Sequence, residues 1–171
     1  RAEYPNWVAA HLAYARAAEA MGSKADAVRE ALRTVTELVP GHPEARRYLA
    51  GSLLSAGFAE QAFADAREYY AAHPDDPQAV RLFAVSAHAT RQPNRAREAL
   101  EAAVRNHVDS PQMLTTVADA YVDIGDPDRA TEIMRRAAAC QAESTAGRLA
   151  VARALRLTDR ISQAETLLIE T

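Results

Sequence analysis

Three aspartates crowd the stretch DIGDPDRATEIM, at Asp123, Asp126 and Asp128. Oxygen ligands at such close spacing could hold a hard divalent cation, and paired carboxylates could trade a proton. Two histidines, His73 and His107, stand 34 residues apart, and a single cysteine, Cys140, is the one candidate thiol nucleophile or soft ligand. Each set has to be weighed against the chain that carries it. The stretches SAGFAEQAFADA (55–66) and ATRQPNRAREAL (89–100) share the layout of DIGDPDRATEIM but lack its aspartates. The layout is therefore a turn the chain repeats, and coordination is not its purpose. Asp126 is expected to cap a helix that begins at Pro127, with Asp128 placed at its positive end. His73 and His107 fall near the ends of two helices, where a histidine is comfortable beside exposed carbonyls. Cys140 has no Cys or His at ligand spacing. No Gly-rich phosphate loop, HExxH or GxSxG occurs. No metal, cofactor or catalytic group is expected.

The bulk properties agree. The chain has 171 residues, 49% hydrophobic and 25% charged, with a net charge of −3. No basic excess points to nucleic acid, and no apolar run is long enough to span a bilayer. One cysteine allows no internal disulfide and leaves the compartment open between cytoplasm and periplasm. Alanine is abundant, and strands of alternating β-branched residues are missing, so the fold class is expected to be all-α.

The positions that could do chemistry are set by a period of 34. Ala62, Ala96 and Ala130 form one column, extended to Ala164 and, with a 35-residue step, to Ala27. Ala15, Ala50, Ala84, Ala118 and Ala152 form a second. Beside the second column run Tyr14, Leu49, Phe83, Val117 and Val151, and three residues later Ala18, Leu53, Ala87, Tyr121 and Leu155. Four residues before it stand His11, Arg46, Val80, Leu114 and Arg148. These offsets trace one face of a helix, and small residues are required where two helices approach most closely. Each unit is then two amphipathic helices joined by a turn, with Gly57, Gly125 and Arg91 at the turn position. Asp76-Pro77, Ser110-Pro111 and Asp126-Pro127 start helices with an N-cap followed by proline; His42-Pro43 and Gln92-Pro93 do so with weaker caps. The one-residue excess of the first unit is placed in VPGHPE, around Gly41.

A 34-residue helix–turn–helix period with small residues at the contacts and a proline near the unit's end resembles the tetratricopeptide repeat. The resemblance covers essentially the whole chain, with units near 8–42, 43–76, 77–110, 111–144 and 145–171 and first helices near 8–21, 43–56, 77–90, 111–124 and 145–158. EYPNWVAAHLAYA reads as the tail of a preceding unit and ISQAETLLIET as a second helix cut short, so a fragment of a longer array is expected. His11, Arg46 and Arg148 depart from the family's apolar preference and imply looser packing there.

The resemblance implies a right-handed superhelix whose first helices line a concave groove that takes an extended peptide or helix. Carried onto this chain, the groove positions include Arg16, Glu19, Arg47, Ser55, Arg81, His88, Thr115, Asp119, Asp123, Arg153 and Arg156. Arg47 and Arg81 would form successive basic steps, Asp119 and Asp123 an acidic one, and Arg153 and Arg156 a return to positive charge. Gly51, Val85 and Thr116 stand where a clamp for a chaperone's terminal carboxylate would need polar or basic donors, so that role is disfavoured. The function expected is a protein-binding scaffold that does no chemistry and binds no nucleic acid. Lys24 is the sole lysine, which with the alanine content points to a GC-rich bacterial source. The settings this suggests are exopolysaccharide export or pilus assembly in a bacterial envelope. An accessory repeat domain of a larger enzyme such as a glycosyltransferase, and self-association through uncapped ends, are the alternatives.

Overall fold

A computed structural model describes residues 4–20 and 25–140. Within them are eight helices: α1 (Tyr4–Ala20), α2 (Ala25–Leu38), α3 (Pro43–Ser55), α4 (Ala59–Ala72), α5 (Pro77–Ala89), α6 (Pro93–Asn106), α7 (Pro111–Asp123) and α8 (Pro127–Ala139). No strand occurs among the described residues. The fifth unit, with Arg148, Ala152, Arg153, Arg156 and Ala164, lies outside them.

Helix starts follow the local chemistry. Proline opens α3, α5, α6, α7 and α8, where its missing N–H would be unsatisfied anyway. Asp76 Oδ1 accepts the Gln78 N–H at 2.9 Å, Ser110 Oγ that of Met113 at 3.3 Å, and Asp126 Oδ1 that of Arg129 at 3.3 Å. His42 is a better cap than its residue type implied, because its Nδ1 accepts the Ala45 N–H at 3.3 Å. Gln92 makes no side-chain cap.

The turn inside each pair closes identically three times. The N–H groups of Phe58, Gln92 and Asp126 reach back to the carbonyls of Leu53, Ala87 and Tyr121 at 2.9, 2.8 and 2.8 Å. This Schellman closure needs a left-handed residue just before the last donor. Gly57 and Gly125 supply it at φ +81°, and Arg91 adopts it at φ +60°. The backbone geometry of the turn is thus imposed on an arginine.

The chain divides into two compact units, residues 1–73 and 74–171. In the first, α1 packs on α2, α2 on α3 and α3 on α4. Its core is built from Val8, Leu12, Ala15, Val28, Leu32, Val35, Ala45, Leu49, Leu53 and Ala62. In the second, α5 pairs with α6 and α7 with α8, while α7 also packs on both α5 and α6. There Ala84, Ala96 and Ala118 are fully buried and Ala130 is 1% exposed. These are the places where a Cβ is all the space between helices allows.

Three expectations at the N-terminal end need correction. The second helices begin at residues 25, 59, 93 and 127, evenly 34 apart, and the turns 39–42, 73–76 and 107–110 are equally long. Any extra residue therefore lies upstream of Ala25, not around Gly41. The counterpart of Ala62 is then Val28, which is buried, and not Ala27, which is half-buried. A one-residue slip turns a helix by about 100° and changes the face. Likewise Tyr14 is 51% exposed, and α1 packs through Val8, Leu12 and Ala15.

Candidate functional site: the outward faces of the first helices

One side of α5 and of α7 is sealed by Val80, Phe83, Ala84 and Ala87, and by Leu114, Val117, Ala118 and Tyr121. The residues expected to face a ligand lie on the other side. On α5, Arg81 is half-buried and His88 exposed. On α7, Thr115, Asp119 and Asp123 form a stripe four residues apart, the first two half-buried and the last exposed. The structure joins two members of this set. Arg81 donates from Nε and Nη2 to a single oxygen, Asp123 Oδ2, at 3.0 and 2.7 Å. The pair bridges the first helices of successive repeats, so their outward faces form one continuous surface. Asp119 has no ion-pair or hydrogen-bond partner among the described residues.

In the other unit, the Arg47 guanidinium lies over the Tyr48 ring at 4.7 Å, a cation–π contact that holds it half-buried. Ser55 turns back to donate to the Gly51 carbonyl at 3.0 Å, which ties up its hydroxyl hydrogen. Arg16 and Glu19 are on α1, but their side chains lie outside the described residues, and Arg153 and Arg156 lie outside them altogether.

The remaining chemical candidates have structural partners. Among the described residues, no three His, Cys, Asp or Glu side chains converge as metal ligands. His73 and His107 sit one residue past α4 and α6 as C-caps. His73 packs on the Tyr69 ring, and His107 Nε2 meets Asp75 at 3.1 Å. Cys140 is exposed, its Sγ 3.6 Å from the Val108 carbonyl. No helix among the described residues is long and apolar enough to cross a membrane.

Two charged clusters were not singled out from the sequence. Arg46 reaches Asp65 at 2.8 Å and Glu68 at 2.5 Å and donates to the Pro40 carbonyl at 2.6 Å. Its side chain is 14% exposed, half-buried where its counterparts Val80 and Leu114 are fully buried, and its charge is met by those partners. Burial outweighs Arg46 and holds the Asp65 carboxyl above its ordinary range. In the other unit, Glu101 accepts from Tyr121 at 2.7 Å and from Arg129 at 2.9 and 2.8 Å. Those bonds, the Arg129 one foremost, hold Glu101 below the usual carboxylate range, while burial and then Glu101 push the Tyr121 phenol up. The signal that could have found the first cluster is a paired exchange. Arg46 with Asp65 stands where Val80 with Ala99, and Leu114 with Ile133, stand in the following repeats.

Solved structures superpose on nearly the whole chain. TTC0263, a thermophilic TPR protein of Thermus thermophilus, is 19% identical, covering 94% of this chain and 87% of that one with a TM-score of 0.67. The chain has the fold of a tetratricopeptide-repeat array. The array also superposes on MamA of Desulfovibrio magneticus RS-1, at 15% identity, 96% and 92% coverage and a TM-score of 0.60. A third match is pilF of Pseudomonas aeruginosa, at 14% identity, 96% and 76% coverage and a TM-score of 0.64. No family model and no curated protein sequence matches the array.

Proposed function

We propose that this array is a protein-interaction scaffold that binds an extended peptide or helix along the outward faces of its first helices, and that it works by binding and not by catalysis. The observation that carries the reading is the asymmetry of α5 and α7. One face of each is sealed, and the other keeps Arg81, His88, Thr115, Asp119 and Asp123 in reach of a partner. The Arg81–Asp123 bridge makes the two faces one surface. Such a surface can bury area and add a few directed charge contacts, which set specificity more than raw affinity. The setting we propose is a bacterial envelope machine for exopolysaccharide export or pilus assembly, supported only by the arginine-over-lysine composition.

Photo-crosslinking tests the reading. A crosslinker at His88 or Thr115 should yield partner adducts that one at Glu98 or Arg105, exposed on the second helix α6, does not. Equal adducts from both sets would remove the first-helix assignment.

Self-association is a second reading, favoured by α1, where Trp7 is 65% and Tyr14 51% exposed on one face. Light scattering across a dilution series decides it; a monomer throughout would eliminate it.

A further inference from the structure

Resting on the reading above, we infer that the α5–α7 surface takes a partner segment carrying a lysine or arginine, whose cation pairs with Asp119. The charges on this surface do not balance. Arg81 spends two N–H donors on one oxygen of Asp123, so that pair is internally neutralised. Asp119, one helical turn earlier on α7, is left over. It is half-buried and has no partner among the described residues. A partly desolvated carboxylate with no cation is an unfavourable arrangement that a ligand can relieve.

The neighbours favour a cation on an aliphatic stem. Val85 occupies on α5 the position that Asp119 occupies on α7, and Val122 lies one turn beyond Asp119 on α7. Both are half-buried, so each still offers apolar surface. A lysine or arginine stem can cover such surface while its head reaches the carboxylate. An acidic segment would have to break the Arg81–Asp123 pair and then face two uncompensated aspartates. The basic step expected at Arg81 is thus converted by the fold into a neutral one, and the surface is net acidic at Asp119.

The test uses the full chain, panned against a phage-displayed library of random peptides. An enriched synthetic peptide and its lysine-to-glutamine counterpart are then titrated by fluorescence anisotropy. Enriched peptides should carry Lys or Arg and weaken as salt is added. They should bind Asp119→Asn roughly twofold to fivefold more weakly, the size of one partly shielded ion pair. Asp119→Glu should retain binding, Asp119→Lys should shift enrichment to acidic peptides, and Glu98→Gln on α6 should change nothing. Acidic or apolar peptides that respond to Arg81 or Val85 substitutions but not to Asp119→Asn would overturn this inference and leave the first-helix surface standing. Peptides indifferent to every first-helix substitution, or no enrichment at all, would overturn both.

Discussion

Replacing Arg91 with glycine should stabilise the protein. Arg91 sits at φ +60° in the turn between α5 and α6, where the equivalent turns use Gly57 and Gly125 at φ +81°. An L-residue pays about 1–2 kcal/mol to be left-handed, because its Cβ crowds the following carbonyl. Glycine escapes that cost but gives the unfolded chain more freedom, worth about 0.5–1 kcal/mol in the other direction. Arg91 is exposed, so little packing is lost with its side chain. The difference leaves roughly 0.5–1 kcal/mol in favour of glycine, or about 1–4 °C in Tm for a chain of this size. The Gln92 N–H to Ala87 carbonyl bond at 2.8 Å should persist. The assay is urea unfolding followed by far-UV circular dichroism, with hydrogen exchange at the Gln92 amide as the local readout. Gly125→Arg is the mirror experiment. A Cβ there would meet nothing within 4 Å, so its destabilisation would be a backbone effect alone. Arg91→Gly neutral or destabilising, with Gly125→Arg also harmless, would refute the argument that the turn imposes its geometry.

Two further outcomes concern the charged clusters. Arg46→Ala leaves Asp65 buried beside Glu68, and should cost about 1–3 kcal/mol at neutral pH. Since burial already raises the folded Asp65 pKa above its unfolded value, that cost belongs to the ionised form. It should fade as acid protonates Asp65, which a pH series of unfolding curves would show. The double change Arg46→Val with Asp65→Ala, which copies Val80 and Ala99, should be near neutral or stabilising; a loss as large as the single variant's would contradict this. Glu101 has the opposite sign. Its folded pKa is depressed, so its stabilisation is present above its unfolded value and lost as pH falls through the folded one. Glu101→Gln should lower stability at neutral pH by about 1–2 kcal/mol and flatten the acid-side slope of the stability profile; an unchanged slope would mean that Arg129 and Tyr121 do not hold the carboxylate in solution.

Much of the architecture was legible because alanine columns, prolines and caps recur in phase. Pro77, Pro93, Pro111 and Pro127 each mark a first helical residue, and Ala84, Ala96 and Ala118 are buried without exposure. The N-terminal register was harder to read because Ala27 and Val28 are adjacent and both apolar. The alanine column favoured the wrong one, and only the even spacing of helix starts separates them. Tyr14 was assigned to the core by its place in the column beside Ala15, whereas α1 packs on the stripe Val8, Leu12 and Ala15. At the candidate site, the family resemblance implied outward positions for Arg81, Asp119 and Asp123. It could not say which charges cancel. Arg81 and Asp123 are 42 residues apart, and their pairing depends on side-chain reach between helices. Arg46 was legible as a departure from an apolar column, but its partners were not, because Asp65 and Glu68 meet it from a different helix.

First helices sealed on one side and open on the other are a property that thiol labelling measures directly. In a Cys140→Ser background, single cysteines replace Ala84 and Ala118 on the sealed side and His88 and Thr115 on the outward side, and each is timed against a soluble thiol reagent. Cysteines at 84 and 118 should react only when the structure opens, at least a hundredfold more slowly than those at 88 and 115, as expected on the order of protection that buried core sites have. Equal rates at all four positions in a folded chain would contradict the paired-helix packing and the binding surface together.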